Sequence, residues 1–363
     1  MSQQIDPDKY QVQLAEKVKR VEENFTHPAL PAINVYTSSP SHYRMRAEFR
    51  IWHEGGHAHY AMNRPGEKRP YTIEDFPVGS KRINALMPPL LDAINASAVL
   101  SKRLFSAEFL TTLSGDALIT LIYHKPLDEA WQKEALLLQE ALGVPIIGRS
   151  RKQKIVLDRD HVMENLHVAG KDYHYQQVET GFTQPNAEVN EKMLGWALGC
   201  AGECDGDLLE LYCGNGNFTC VLAPQFDKVL ATEISKLSVR SATFNLRANA
   251  VDNVTIVRMS SEELTDALNG VRPFRRLRDI DLKSYRFSTI FVDPPRSGLD
   301  EGTVKLAQQF DHIIYISCNP DTLKNNLDTL SQTHEVRRFA VFDQFPYTDH
   351  LECGAFLTKR TLQ

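Results

Sequence analysis

The chain has 363 residues, 42% of them hydrophobic and 24% charged, which is enough for two domains and a substantial core. The N-terminus Met1-Ser-Gln-Gln-Ile-Asp-Pro-Asp8 lacks the charged and apolar regions of a signal peptide, and no apolar run approaches the roughly 18 residues of a membrane span. Six cysteines, all from Cys200 onward and without disulfide-ladder spacing, point to a reducing, cytoplasmic setting. The net charge of −5 excludes a uniformly basic surface, so any nucleic-acid contact must rest on local clusters.

In the first half, Arg44, Arg46, Glu48 and Arg50 alternate with Met45, Ala47, Phe49 and Ile51. In a strand that arrangement separates three arginines from four apolar side chains. Residues 83–94 have a helical pattern that Pro88-Pro89 is expected to kink or split. Residues 108–113 and 117–123, joined by Ser114-Gly-Asp116, predict a hairpin, and 128–142 a helix with Trp131, Ala135, Leu138 and Leu142 along one face. Basic clusters occur at Lys102-Arg103, at 149–154 and at 272–278. The strand at 44–50 and the segment 149–154 are candidate phosphate contacts, while 272–278 reads as a solvated face. These elements form a small α/β module over residues 1–175, with the boundary near 170–185 and a second domain over 176–363. Just beyond it, Asn186 can cap a helix in which Val189, Met193 and Trp196 recur at helical spacing.

The second half carries four strand-end motifs. A strand over 208–212 runs into Gly214-Asn-Gly216, with a helix starting near Asn217. The next strand, 229–233, ends on Glu233, 17 residues beyond Gly216. An acid at that tip can accept hydrogen bonds from both ribose hydroxyls; the plainer reading is a solvated helix-capping acid. Thr219 stands where a dinucleotide fold would place its third glycine. That favours an adenosine ligand with a sulfonium in place of a pyrophosphate, namely S-adenosylmethionine (SAM). The strand at 289–292 ends in Asp293-Pro-Pro-Arg-Ser-Gly298, a rigid ledge on which a planar base can lie. Amino-methyltransferases have an aromatic residue after a related Asp/Asn-Pro-Pro; Arg296 here disfavours amino-group chemistry.

The strand at 313–316 leads to Cys318, followed by Asn319 as N-cap and Pro320 as first residue of a helix through 330. The positive end of that helix is expected to lower the thiol pKa and make Cys318 a nucleophile. A small packing residue is the plainer alternative. Finally, residues 342–354 read as a strand, a loop near Pro346 and a closing strand through Leu357 that begins at Glu352. By itself Glu352 would be a surface carboxylate.

Together, Gly214-Asn-Gly216, Glu233, Asp293-Pro-Pro-Arg-Ser-Gly298, Ser317-Cys-Asn-Pro320 and His350-Leu-Glu-Cys-Gly354 resemble the RNA uracil-5-methyltransferase family, and within it the tRNA branch. The resemblance extends through residues 41–53 and Gly181-Phe-Thr-Gln-Pro-Asn186. It implies an α/β fold: a class I SAM-dependent methyltransferase (Rossmann-like) sheet with an N-terminal α/β RNA-binding module. It implies Cys318 as the nucleophile on carbon 6 of uracil and Glu352 as the acceptor of the carbon-5 proton. Gln184, Tyr212, Asn217, Glu233 and Asp293 would line the SAM site, although Asp293 could equally contact the uracil edge. Arg50, Phe105 and His124 fall in segments resembling the family's T-loop contacts. The implied reaction is methylation of carbon 5 of the T-loop uridine (position 54) of tRNA, giving ribothymidine through a covalent Cys-uracil adduct. The alternatives are the same chemistry on ribosomal or another T-loop-like RNA, and an RNA-binding tRNA folding factor. Some ribosomal-RNA members hold an iron–sulfur cluster through N-terminal cysteines; with no cysteine before Cys200, no metal is expected here, and no membrane association.

Overall fold

The computed structural model describes residues 5–25, 30–64, 66 and 69–360. The chain opens with helix α1 (Pro7–Asn24), capped by the Asp6 carboxylate, which accepts from the Asp8 and Lys9 N–H groups at 3.1 and 3.4 Å. Tyr10, Leu14, Lys17 and Val21 recur at helical spacing along its buried side. A short strand, β1 (Ile33–Tyr36), follows.

The first sheet comprises β2 (Arg46–Glu54), β3 (His57–Met62), β4 (Tyr71–Ile73), β5 (Leu104–Thr111), β6 (Ala117–Tyr123), β7 (Ile146–Ser150) and β8 (Gln153–Val156), in the order β4-β3-β2-β5-β6-β7-β8. Only β6 and β7 pair in parallel. The expected hairpin is β5–β6, turning at Gly115 with φ +90°. Helices α2 (Lys81–Ala96), α3 (Ala98–Ser101) and α4 (Glu129–Leu142) accompany this sheet. Ile83, Met87 and Leu90 of α2 and Trp131, Ala135 and Leu138 of α4 share its core. The prolines do not split α2, which continues through Pro88-Pro89 to Ala96. Both prolines are exposed, on a face where water can satisfy the carbonyls freed by their missing N–H groups.

A hairpin of β9 (His161–Val168) and β10 (Lys171–Val178) leads into α5 (Ala187–Ala201), capped by Asn186 as anticipated. The second sheet is then built from β11 (Asp207–Leu211), α6 (Thr219–Leu222), β12 (Val229–Thr232), α7 (Lys236–Ala248), β13 (Val254–Val257), α8 (Ser261–Leu268), β14 (Phe287–Val292), α9 (Glu301–Ala307), β15 (His312–Ser317), α10 (Pro320–Leu330), β16 (His334–Phe342) and β17 (Glu352–Lys359). Its order is β1-β16-β17-β15-β14-β11-β12-β13. Its pairs are parallel except that β17 runs against both neighbours. Met193 and Trp196 of α5 and Leu246 of α7 join one hydrophobic cluster, and Val21 of α1, Leu264, Val304 and Leu323 join the other. This is the expected α/β architecture, and the order reverses at β11, between β12 and β14, which opens a crevice at the strands' carboxyl ends.

One assignment differs. β1 pairs with β16, so the segment from α1 to β1 lies with the second sheet and not with the module expected over residues 1–175. β1 covers what would otherwise be an open edge of β16.

Candidate active site

β11 ends at Leu211, one residue earlier than expected, because Tyr212 adopts φ +62° and turns the chain. That left-handed conformation costs about 1 kcal/mol or more, and the Tyr212 hydroxyl is pinned by donating to Ser261 Oγ at 2.7 Å. Gly214 and Gly216 also have positive φ, and nothing lies within 4 Å of a Cβ added at Gly214. The turn therefore leaves open space beside its backbone. The following helix starts at Thr219, later than Asn217.

Glu233 is fixed against this turn. Its Oε2 accepts from the Gly214 N–H at 3.0 Å and its Oε1 from the Ser235 N–H at 2.7 Å, leaving acceptor capacity on both oxygens. The Asn217 side chain makes a reciprocal amide pair with Asn190 of α5, 2.9 Å each way, and the Asn217 carbonyl accepts from Tyr175 at 2.8 Å. This pairing ties the first turn of α5 to the end of the glycine turn; Gln184 lies two residues before the Asn186 cap of that helix. Beneath it lies Glu210, which the sequence reading passed over. Glu210 is buried, its Oε2 has no hydrogen-bond partner among the described residues, and burial pushes its pKa up to about 8. A buried carboxyl with one open oxygen suits the cationic end of SAM, and Glu233 suits the ribose, so these residues fit the cofactor. Ile234, also missed, is 69% exposed directly after that acid and offers an apolar surface there. The available signal was its place immediately after Glu233.

Asp293, Cys318 and Glu352 come together because of strand direction. β14 and β15 run in parallel and deliver Asp293 and Cys318 at their carboxyl ends. β17 is antiparallel, so its first residue, Glu352, arrives at the same edge, with Cys353 opposite Ser317. Asn319 caps α10 by accepting from the Asp321 N–H at 3.1 Å, and its Nδ2 donates to the Arg296 carbonyl at 3.0 Å. The Arg296 ledge and the Cys318 turn are thereby tied together.

The charges here correct the expectation of an acidified thiol. Burial, followed by the Glu352 and Asp293 carboxyls, pushes the Cys318 thiol up to about 11, with Arg296 opposing them. Glu352 is only 6% exposed and no surface carboxylate; burial and Asp293 raise it to about 8. Burial alone raises Asp293 to about 7. Around the thiol is a cavity of about 270 Å³, whose walls include Arg296 and His350 and, unanticipated, Lys17, Arg20 and Asn24 of α1.

On the first sheet, Arg50, Phe105 and His124 form one cluster. The Phe105 and His124 rings stack at 4.2 Å and 20°, with the Arg50 guanidinium 5.6 Å from the centroids of both Phe105 and Trp52. A larger cavity, about 1,010 Å³, borders it and is lined by His124, Lys125, Arg46 and Arg149 among others. Several expected phosphate contacts are committed internally. Arg149 makes two bonds to the Glu179 carboxylate at 2.5 and 2.8 Å, Lys154 pairs with Asp160, Arg46 donates to the Glu179 carbonyl, and Arg44 donates to the Arg46 carbonyl. Arg276 and Arg278 of the last basic run lie on the surface beside Glu263 and Asp279. Among the described residues no three His, Cys, Asp or Glu side chains converge as a metal site, and no helix is long and apolar enough to cross a membrane.

The family model described as tRNA (uracil-5-)-methyltransferase matches residues 9–360. The chain belongs to that family. It is 59% identical over 359 residues to a tRNA/tmRNA (uracil-C(5))-methyltransferase of Saccharophagus degradans, covering 98% of each chain. It is 60% identical over 351 residues to the protein of the same description from Cellvibrio japonicus, covering 97% of this chain and 96% of that one. Among solved structures, the Pyrococcus abyssi tRNA (uracil-54, C5)-methyltransferase with S-adenosyl-L-homocysteine superposes with TM-score 0.74, over 96% of this chain and 83% of that one. At 19% identity, that likeness is one of fold. As a member of the tRNA (uracil-5-)-methyltransferase family the protein is a SAM-dependent methyltransferase.

Proposed function

We propose that this enzyme methylates carbon 5 of the T-loop uridine at position 54 of tRNA through a covalent Cys318–uracil adduct. The observation that carries this reading is the meeting of Cys318, Glu352 and Asp293 on one sheet edge, at the far side of Asp293 from the glycine turn. Uracil carbon 5 is a weak nucleophile. Addition of the Cys318 thiolate to carbon 6 would convert the base to an enolate with its electron density at carbon 5. Bound SAM supplies the methyl electrophile. The Glu352 carboxylate then removes the carbon-5 proton, and the Cys318–carbon-6 bond breaks as the ring double bond re-forms. Arg296 favours the charged forms of both Cys318 and Glu352, and the N-terminus of α10 lies beside the thiol.

Gln184, Tyr212, Asn217, Glu233 and Asp293 would hold the cofactor, and the Arg50–Phe105–His124 cluster would take unstacked bases of the loop. Moving the target uridine out of its stack costs a few kcal/mol, which such stacking offsets. Because the relatives are named for tmRNA as well as tRNA, a T-loop-like stem in that RNA is a second substrate under this reading.

The test compares wild type, Cys318→Ala and Glu352→Gln on unmodified tRNA transcript with methyl-labelled SAM. Ribothymidine is expected from wild type alone. A protein–RNA adduct on a denaturing gel should accumulate in Glu352→Gln and vanish in Cys318→Ala. Product at the wild-type rate from Cys318→Ala would overturn the covalent route.

A further inference from the structure

A buried ion pair beside the Cys318 cavity joins α1 to the loop that leads to Glu352. Lys17 is 1% exposed and Asp343 fully buried, with Nζ and Oδ1 2.8 Å apart. The same Nζ donates to the Phe345 carbonyl at 3.0 Å. Four residues earlier, the Gln13 side-chain oxygen accepts from the Tyr347 N–H at 2.7 Å. From the other side, the Tyr43 hydroxyl donates to the Pro346 carbonyl at 3.0 Å. Three consecutive backbone positions of this loop, 345 to 347, are thus each held by a side chain from the first 43 residues. Tyr347 itself has φ +64°, a left-handed conformation that a tyrosine keeps only where its surroundings fix it. Further along α1, Asn24 Nδ2 donates to Asp321 Oδ1 at 3.0 Å, three residues past the thiol.

A buried lysine–carboxylate pair is an expensive way to join a helix to a loop, since apolar residues of similar volume would often do so equally well or better. What the pair adds is a fixed geometry: the loop it grips runs through His350, on the wall of the thiol cavity, directly into Glu352. Lys17 lines that cavity too.

We infer that Lys17 is a positioning residue for the methylation centre: through Asp343 and the Phe345 carbonyl it clamps the 343–351 loop to α1, so that His350 and Glu352 are held at the Cys318 cavity. The inference rests on the methylation reading above. On it, the N-terminal helix is part of the catalytic unit and contributes to turnover, not to cofactor affinity.

The test measures ribothymidine formation, S-adenosyl-L-homocysteine affinity and thermal melting for wild type, Lys17→Met, Lys17→Arg and Gln13→Ala. Wild type making no ribothymidine would defeat the methylation reading, separately from the clamp. With wild type active, Lys17→Met is expected to lose at least about tenfold in kcat, while the KM for RNA and the S-adenosyl-L-homocysteine affinity change by less than about threefold. Lys17→Arg, which keeps the charge and the donors, should recover part of the loss. Gln13 is half-exposed, so Gln13→Ala leaves the ion pair intact and should lower kcat about threefold with unchanged S-adenosyl-L-homocysteine binding. A kcat within about twofold of wild type for folded Lys17→Met overturns the clamp, as does a parallel fall of kcat and S-adenosyl-L-homocysteine affinity. Should Lys17→Met not fold, Gln13→Ala decides, and an unchanged kcat there overturns it.

Discussion

Glu352 holds its proton more tightly in the fold than a free carboxylate does, with a pKa raised from 4.5 to about 8. A raised acid favours the native state while protonated, so its contribution is full below the unfolded value and falls as pH rises from about 4.5 toward about 8. Melting temperatures taken across that window should therefore decline more steeply in wild type than in Glu352→Gln, where this group no longer titrates. Equal slopes would show that the fold does not raise the pKa of Glu352. On the proposed route activity runs the other way, because turnover would need the carboxylate of Glu352 and the thiolate of Cys318, whose pKa is pushed up to about 11. The rate on tRNA transcript should climb steeply up to about pH 8 and keep rising, less steeply, toward about pH 11. Arg296→Met removes the cation that opposes both shifts, so its pH–rate profile should move to higher pH. An unmoved profile would mean that Arg296 does not act on these charges. The expectation of an acidified thiol came from Asn319-Pro320 alone. Burial raises the thiol first, and the two carboxyls that add to it stand 25 residues before Cys318 and 34 after it, so only folding brings them near.

At the scale of the element, β17 decides the site. Had it run parallel to β15, Glu352 would lie at the opposite edge of the sheet from Cys318. Its position is fixed by packing as well: a Cβ on Gly354, two residues on, would sit 2.7 Å from the Trp196 ring of α5. Gly354→Ala should cost about 1–3 kcal/mol of stability through overpacking and depress activity by shifting the strand that begins at Glu352. Chemical denaturation together with the ribothymidine assay checks both effects. The cap of α10 is a smaller contribution: Asn319→Ala should lose about 1 kcal/mol, read from the same denaturation curves. These elements were legible in the sequence because apolar runs ending on Gly, Asn-Pro or Asp-Pro-Pro announce themselves locally. β1 was not, since four residues, two half-exposed and two exposed, have no local signal and pair only because β16 has an open edge. The unbroken course of α2 through two prolines was equally hidden, as it depends on which face meets water.

Over the whole molecule, two surfaces have separate tasks on this reading: the stack of Arg50, Phe105 and His124 on one sheet, the thiol and carboxyls on the other. Phe105→Ala should weaken RNA binding by about 1–3 kcal/mol and leave S-adenosyl-L-homocysteine affinity unchanged, measured by filter binding and calorimetry. A loss in both would make Phe105 a packing residue of the module. The sequence by itself determined the strand-end motifs, the α/β class and the chemistry those residue types allow, because each motif is a short run whose backbone needs are met by its own glycines, prolines and caps. The tertiary structure alone decided what those groups meet. Burial beside Asp293 sets the protons on Cys318 and Glu352, Glu179 claims arginines that looked free for phosphate, and α1 closes the cavity around the thiol. Charge, solvation and long-range contact are properties of neighbours in space, and a chain read residue by residue does not contain them.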